Sequence, residues 1–137
     1  MLRAVLDTNV IISSLFYGGK PRRVVDLAAA GRFQALTSVP LLVELELVLA
    51  EDFEVPTDKV EEAIREVMSF ALLVPETPEF EVEVRDAGDA KVLACAAGGE
   101  ANYVVTGDAD LLSLKEWRGV TILTPDQFLR LEPPARL

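Results

Sequence analysis

Leu2-Arg3-Ala4-Val5-Leu6 runs directly into Asp7-Thr8-Asn9, and near the other end Tyr103-Val104-Val105 runs into Thr106-Gly107-Asp108-Ala109-Asp110. Each stretch reads as a short buried strand that closes on a carboxylate and gives way to a helix. In a parallel α/β sheet the carboxyl ends of the strands share one edge, and ligands bind along it. Asp7 and Asp108 are therefore expected to face a common space. Crowded carboxylates repel unless a positive charge stands between them. The chain has no histidine and a single cysteine, Cys95, so the expected charge is a hard, oxygen-seeking cation such as magnesium or manganese. The pattern points to metal-dependent phosphate chemistry.

Working outward, residues 2–6 form the first strand and Asn9 to Tyr17 an apolar helix that stops at Gly18-Gly19. Pro21 suits the first turn of a second helix, which ends at Gly31. A strand over 33–37 follows, and Ser38-Val39-Pro40 opens a very apolar helix to about Ala50. Thr57 or Asp58 caps a helix through Val67, with Ile64, Val67, Met68 and Ala71 at helical spacing. A third strand occupies 71–74. Pro75 to Glu83 is a connecting loop, Asp86 caps a helix over 87–97, strands cover 102–105 and 120–123, and Thr124-Pro125 starts a last short helix. Strands alternating with helices predict a three-layer α/β/α sandwich around a mainly parallel five-stranded sheet. Residues 1–131 are expected to form one domain and 132–137 a short frayed tail.

Half of the 137 residues are hydrophobic, and no long polar or low-complexity tract interrupts them, which excludes disorder over most of the length. The uncharged stretches Thr8 to Gly19 and Phe33 to Val43 are both too short to span a membrane. One cysteine excludes an internal disulfide and a cysteine-rich zinc site. These features predict a cytoplasmic protein. The net charge of −10 is unevenly spread: residues 1–32 balance to +3, residues 44–89 to −12 and residues 90–137 to −1. Phosphate contact is therefore expected in the basic N-terminal third, where Lys20, Arg22 and Arg23 sit at a helix start behind a glycine hinge. The plainer alternative for these three is a solubilising loop, and for most acids of the middle a solvated helix face.

The individual acids also have structural alternatives. Asp7 suits an N-cap, and Asp108 a Thr-Gly-Asp turn with Asp110 capping the helix at Leu111. Asp86 and Asp89 would both favour the positive end of a helix dipole; pointing at the strand edge, that end would place Asp89 beside Asp7 and Asp108. Glu44 and Glu46 share a helix that is apolar nearly all round, and spacing does not decide which is buried. A carboxylate there is costly unless paired, and a cation would offset the cost.

Taken in order, these segments resemble the PIN-domain family of metal-dependent nucleases, close to the bacterial and archaeal VapC-like toxin components of toxin–antitoxin pairs. The matching pieces are Leu6-Asp7-Thr8-Asn9-Val10, Ser38 with Glu44-Leu45, Arg85-Asp86 with Asp89, Val105-Thr106-Gly107-Asp108 with Asp110-Leu111-Leu112, and Ile122-Leu123-Thr124-Pro125 with Phe128. These motifs in the right order carry the likeness, which covers essentially the whole chain. The resemblance implies an acidic quartet of Asp7, Glu44, Asp89 and Asp108 holding one or two Mg2+ or Mn2+ ions. Asp7 and Asp89 would be direct ligands and Asp108 the next, while Glu44 would ligate or orient water. Asn9, Thr106 and Ser13 would assist, with Asp110 as an outer acid. One departure is Asp86-Ala87-Gly88-Asp89, where many relatives carry proline after the first acid and another acid before the last.

The implied reaction is endonucleolytic hydrolysis of RNA phosphodiesters, with the cation activating water and stabilising the departing oxygen. Without histidine, histidine-based acid–base cleavage is excluded. Implied partners are RNA, an antitoxin protein and a second copy of the chain, through exposed parts of the apolar helices 41–49 and 60–71, with no membrane. Two rivals remain. An aspartyl-phosphate phosphohydrolase would need a second aspartate two residues after Asp7, where Asn9 stands. A non-catalytic RNA- or protein-binding module would lack metal-dependent cleavage.

Overall fold

The computed structural model describes residues 1–75 and 87–131, with Ala87 described by its backbone only. The expected cap at Asp86, neighbouring Arg85, nearly all of the expected loop over 75–83 and the tail 132–137 lie outside the described residues. Strand β1 (Arg3–Leu6) is followed by helices α1 (Thr8–Phe16) and α2 (Gly19–Ala29), strand β2 (Gln34–Thr37) and helix α3 (Val39–Leu47). A single π turn over Val48–Asp52 leads to helix α4 (Thr57–Phe70) and strand β3 (Ala71–Leu73). Helix α5 (Ala87–Gly98), strand β4 (Tyr103–Val105), helix α6 (Ala109–Leu114), strands β5 (Glu116–Trp117) and β6 (Val120–Leu123), and helix α7 (Pro125–Leu129) complete the order.

The sheet order is β3-β2-β1-β4-β6-β5. All neighbouring pairs are parallel except β5 with β6. Alternation along the strands divides the core in two. Ala4, Leu6, Ala35 and Val105 point to the layer that includes Val10, Val25, Phe33 and Phe128. Val5, Leu36, Val104 and Ile122 point to the layer that includes Leu41, Leu93, Ala96 and Leu111. Helices thus cover both faces, as strands buried on both sides require.

Local chemistry explains most boundaries. Gly31, at φ +74°, ends α2 in the left-handed conformation. Gly99 permits close packing at the end of α5: a Cβ there would stand 2.7 Å from Leu36 Cδ1. Thr124 closes a full capping box with Gln127. By contrast, α4 starts after Pro56 without a side-chain cap, and neither Thr57 nor Asp58 caps it. The sheet has six strands rather than the five expected. The additional one, β5, is a two-residue edge strand folded back on β6 through Arg118 and Gly119, both at positive φ. Such a tight hairpin leaves no room for an alternating pattern.

Candidate active site

The chain runs from β1 outward through β2 to β3, then crosses back to place β4 on the other side of β1. The crevice at such a switch point opens at the carboxyl ends of the two flanking strands. Asp7 follows β1 and Thr106–Asp108 follow β4, so both segments stand at its mouth. The backbone fixes this directly, with Asp7 N donating to Val105 O at 3.0 Å.

Asp7 is buried and held from three sides. Its Oδ1 accepts from Thr8 N at 2.7 Å, and its Oδ2 accepts from Thr106 Oγ1 at 2.7 Å and Asn9 Nδ2 at 3.1 Å. The fully buried Thr106 hydroxyl accepts in turn from Asp108 N at 2.9 Å. Asn9 Oδ1 accepts from Gly107 N at 3.1 Å. Two side chains of the first loop thereby lock onto the loop after β4. Asp7 is also the N-cap of α1, as the capping reading of this residue expected.

Asp108, half-buried, is the N-cap of α6 and accepts from Asp110 N at 3.0 Å. The expected cap at Asp110 is corrected: Asp110 lies in the first turn, exposed, and the cap sits two residues earlier because Asp108 has the extended backbone that a cap requires. Glu44 is largely covered while Glu46 is exposed, which settles the question that helical spacing left open. Glu44 Oε2 accepts from Thr8 Oγ1 at 2.6 Å, tying α3 to the residue beside Asp7. Asp89 is buried in the first turn of α5. Because α5 leads back to the start of β4, its first turn lies toward the same sheet edge. Ser13 is half-buried one turn beyond Asn9 on α1. Thr8 and Lys91 were not singled out by sequence; Lys91 Nζ stands 4.0 Å from Glu44 Oε1. The one available signal for Thr8 was its place between Asp7 and Asn9.

A PIN domain sequence model matches residues 3–110. The chain belongs to the PIN domain family. Its members are nucleases. The fold is similar to that of a chain in the crystal structure of VapBC2 from Rickettsia felis bound to a DNA fragment from their promoter, with a TM-score of 0.66 and 13% identity over 88% of this chain and 97% of that one. At that identity the likeness is one of fold. No curated protein matches the chain.

Among the described residues of this PIN domain, no three acidic or cysteine side chains close into a metal cage. The arrangement is an open one built around Asp7. Burial raises the Asp7 carboxyl above the ordinary range; hydrogen bonds from Thr106 and Thr8 pull it down, and the charges of Glu44 and Asp108 push it up again. Asp7 thus senses two neighbouring carboxylates at the switch point. A carboxylate has about four lone-pair sites, so the three bonds to Asp7 leave it an acceptor position. The donor chemistry of Asp7, Asp108 and Glu44, all oxygen with excess negative charge, is of the kind that hard divalent cations take, and Asp89 lies toward the same edge.

The basic residues divide. Lys20 donates to Asp126 Oδ1 at 2.6 Å, which sits in the first turn of α7 at the carboxyl edge of β6. Arg130 pairs with the same carboxylate at 3.2 Å. Asp126, whose carboxyl is pulled below its ordinary range chiefly by the Lys20 hydrogen bond, therefore carries two cations. Arg23 is exposed one turn beyond Lys20. Arg22 turns instead toward Asp26 and Glu66, at 3.0 and 3.2 Å.

The raised carboxyl of Asp7 has a pH signature. Burial penalises its ionised form, so the cost is present above the raised folded value and absent below the ordinary value of about 3.9. Asp7→Asn carries no such cost, although it also loses acceptors for Thr106 and Asn9 at every pH. The unfolding temperature of the metal-free variant minus that of the parent is expected to be more positive at about pH 8 than at about pH 4. Thermal unfolding across that range checks it; a flat or opposite trend would mean that Asp7 bears no burial cost.

Proposed function

We propose that this PIN domain is a Mg2+- or Mn2+-dependent endoribonuclease, the toxin component of a toxin–antitoxin pair acting in the cytoplasm. The observation that carries the reading is the buried Asp7 at the switch point, oriented by Thr106 and Asn9 and sensing Glu44 and Asp108. Asp7, Asp89 and Asp108 would hold the cation, and Glu44 would ligate it or orient water. When bound, the cation supplies Lewis-acid stabilisation of the phosphoryl group and lowers the pKa of water. Thr106 and Asn9 hold Asp7 in one orientation, and Thr8 does the same for Glu44. Asp110 and Ser13 support the site from its margin.

RNA enters over the edge where Lys20, Arg23 and Arg130 cluster, and Arg22 contributes less because two carboxylates already face it. The reading as an aspartyl-phosphate phosphohydrolase loses further ground, since Asn9 is committed to a bridge between Asp7 and Gly107.

Two apolar surfaces suit the two protein partners. Val39, Val43 and Leu47 form an exposed i, i+4, i+8 ridge on α3, a convex surface that can pack against its own copy in a homodimer. A separate groove of about 400 Å³ lies between α1, the π turn and α4, floored by Leu15, Phe16, Leu49, Val55 and Ala63. Phe16 stacks on Phe53 at 4.8 Å beside it, and Glu62 and Glu66 line it. Lys59 also lines it, and Glu62 and Glu66 are paired with Lys59 and Arg22, so this concave surface suits the apolar face of an amphipathic antitoxin segment.

Three outcomes are expected. Labelled RNA is cut by the parent with Mn2+ and not with chelator, and Asp7→Asn or Asp108→Asn lowers the rate about a hundredfold or more. In the same assay Lys20→Ala with Arg23→Ala flattens the salt dependence of RNA binding; parent-like cleavage by both acid variants would refute the nuclease assignment. Sedimentation at tens of micromolar, in order of magnitude, gives a dimer for the parent and a monomer for Val43→Asp with Leu47→Asp; a monomeric parent removes the dimer. Co-expression with a candidate antitoxin protein yields a complex that Phe16→Glu disrupts, and retention of that complex by the variant excludes the groove.

A further inference from the structure

Glu44 is engaged at both oxygens. Oε2 accepts the short bond from Thr8, and Oε1 faces the ammonium of Lys91 at 4.0 Å. That separation makes an ion pair rather than a hydrogen bond, so little orientation holds it. Lys91 is more exposed than its partner, with 39% of its side chain accessible against 23% for Glu44, and it sits on α5 two residues after Asp89. Glu44 is also close enough to Asp7 for its charge to push the Asp7 carboxyl up. Lys91 is the cation that faces Glu44.

We infer that Lys91 is a resident counter-cation of the acidic pocket, which offsets the charge of Glu44 before a divalent ion arrives and opposes that ion once it has arrived. The inference rests on the metal-dependent reading given above and goes beyond it, because it assigns a positioning residue that limits metal affinity. Its physical basis is competition. Lys91 and a divalent ion seek the same oxygens, and the flexible lysine stem lets the ammonium swing toward solvent without leaving the neighbourhood. A double charge about 6 Å from an ammonium, screened as in water, is opposed by about 1.4 kcal/mol, or a factor of ten in affinity.

The test is calorimetric titration of Mn2+ into the metal-free parent, Lys91→Met and Lys91→Arg, with Lys59→Met as a remote charge control. Lys91→Met is expected to bind Mn2+ about tenfold more tightly, with the gain shrinking at high salt. Lys91→Arg and Lys59→Met should keep the parent affinity. Thermal unfolding without metal verifies that each variant is folded. An unchanged or weakened Mn2+ affinity in Lys91→Met overturns the inference while leaving the nuclease reading intact. Tighter binding in Lys91→Arg as well would also overturn it, since charge would not be the cause. A loss confined to RNA binding, with Mn2+ affinity unchanged, would reassign Lys91 to a substrate phosphate. A parent that binds no Mn2+ removes the metal-dependent reading itself.

Discussion

The structure depends on keeping one charged side chain, Asp7, inside the end of a parallel sheet. A carboxylate removed from water is tolerated only if its lone pairs are met, and here the donors come from two places. Thr8 and Asn9 are local, whereas Thr106 is supplied from 99 residues away. That last donor is available only if β4 lies beside β1 in the observed register, with Leu6 opposite Val105. The pairing that creates the crevice and the hydrogen bond that makes its acid tolerable are therefore the same event. Had β4 slipped by one residue, Thr106 would point to the other face and Asp7 would lose its hydroxyl partner.

The same economy governs the rest of the charge. In a chain of net charge −10, a basic side chain near the carboxyl edge finds an acid readily. Lys20 and Arg130 share Asp126, so the −1 of that carboxylate is outweighed and the edge stays locally positive. Arg22 meets two acids and its charge is neutralised. Sequence position alone made Lys20, Arg22 and Arg23 equivalent, but the helix surface separates them.

Much of the fold was legible because strong local signals agreed with the tertiary arrangement. The strand-to-acid junctions at Asp7 and Asp108 marked the switch point, and Gly31 and Thr124-Pro125 marked helix ends through requirements that few other residues meet. What could not be read depended on packing or on distant partners. Helical spacing gave Glu44 and Glu46 equal standing, and the two were separated only by which side of α3 meets Leu36 and the α5 layer. The β5 edge was too short for periodicity to register, because two residues cannot show alternation. The cap of α6 was misplaced by two residues since Thr-Gly-Asp-x-Asp offers two aspartates of equal local merit. Asp108 prevails because its backbone N–H is tied to Thr106, fixing the extended conformation of the cap.

The hydroxyl and amide residues around the site explain how an open cluster of acids can still be selective. Flexible carboxylates that had to be gathered by a cation would lose side-chain entropy on binding, on the order of 1 kcal/mol or more for each one immobilised. Here that ordering is already done for Asp7 by Thr106 and Asn9, and for Glu44 by Thr8. Asp108 is restrained by its capping role. The remaining cost is electrostatic: the raised carboxyl of Asp7 shows that burial and neighbouring charge already press against ionisation. A site built this way is preorganised in shape but strained in charge. Such a pocket would respond more to a divalent cation than to a neutral ligand of the same size.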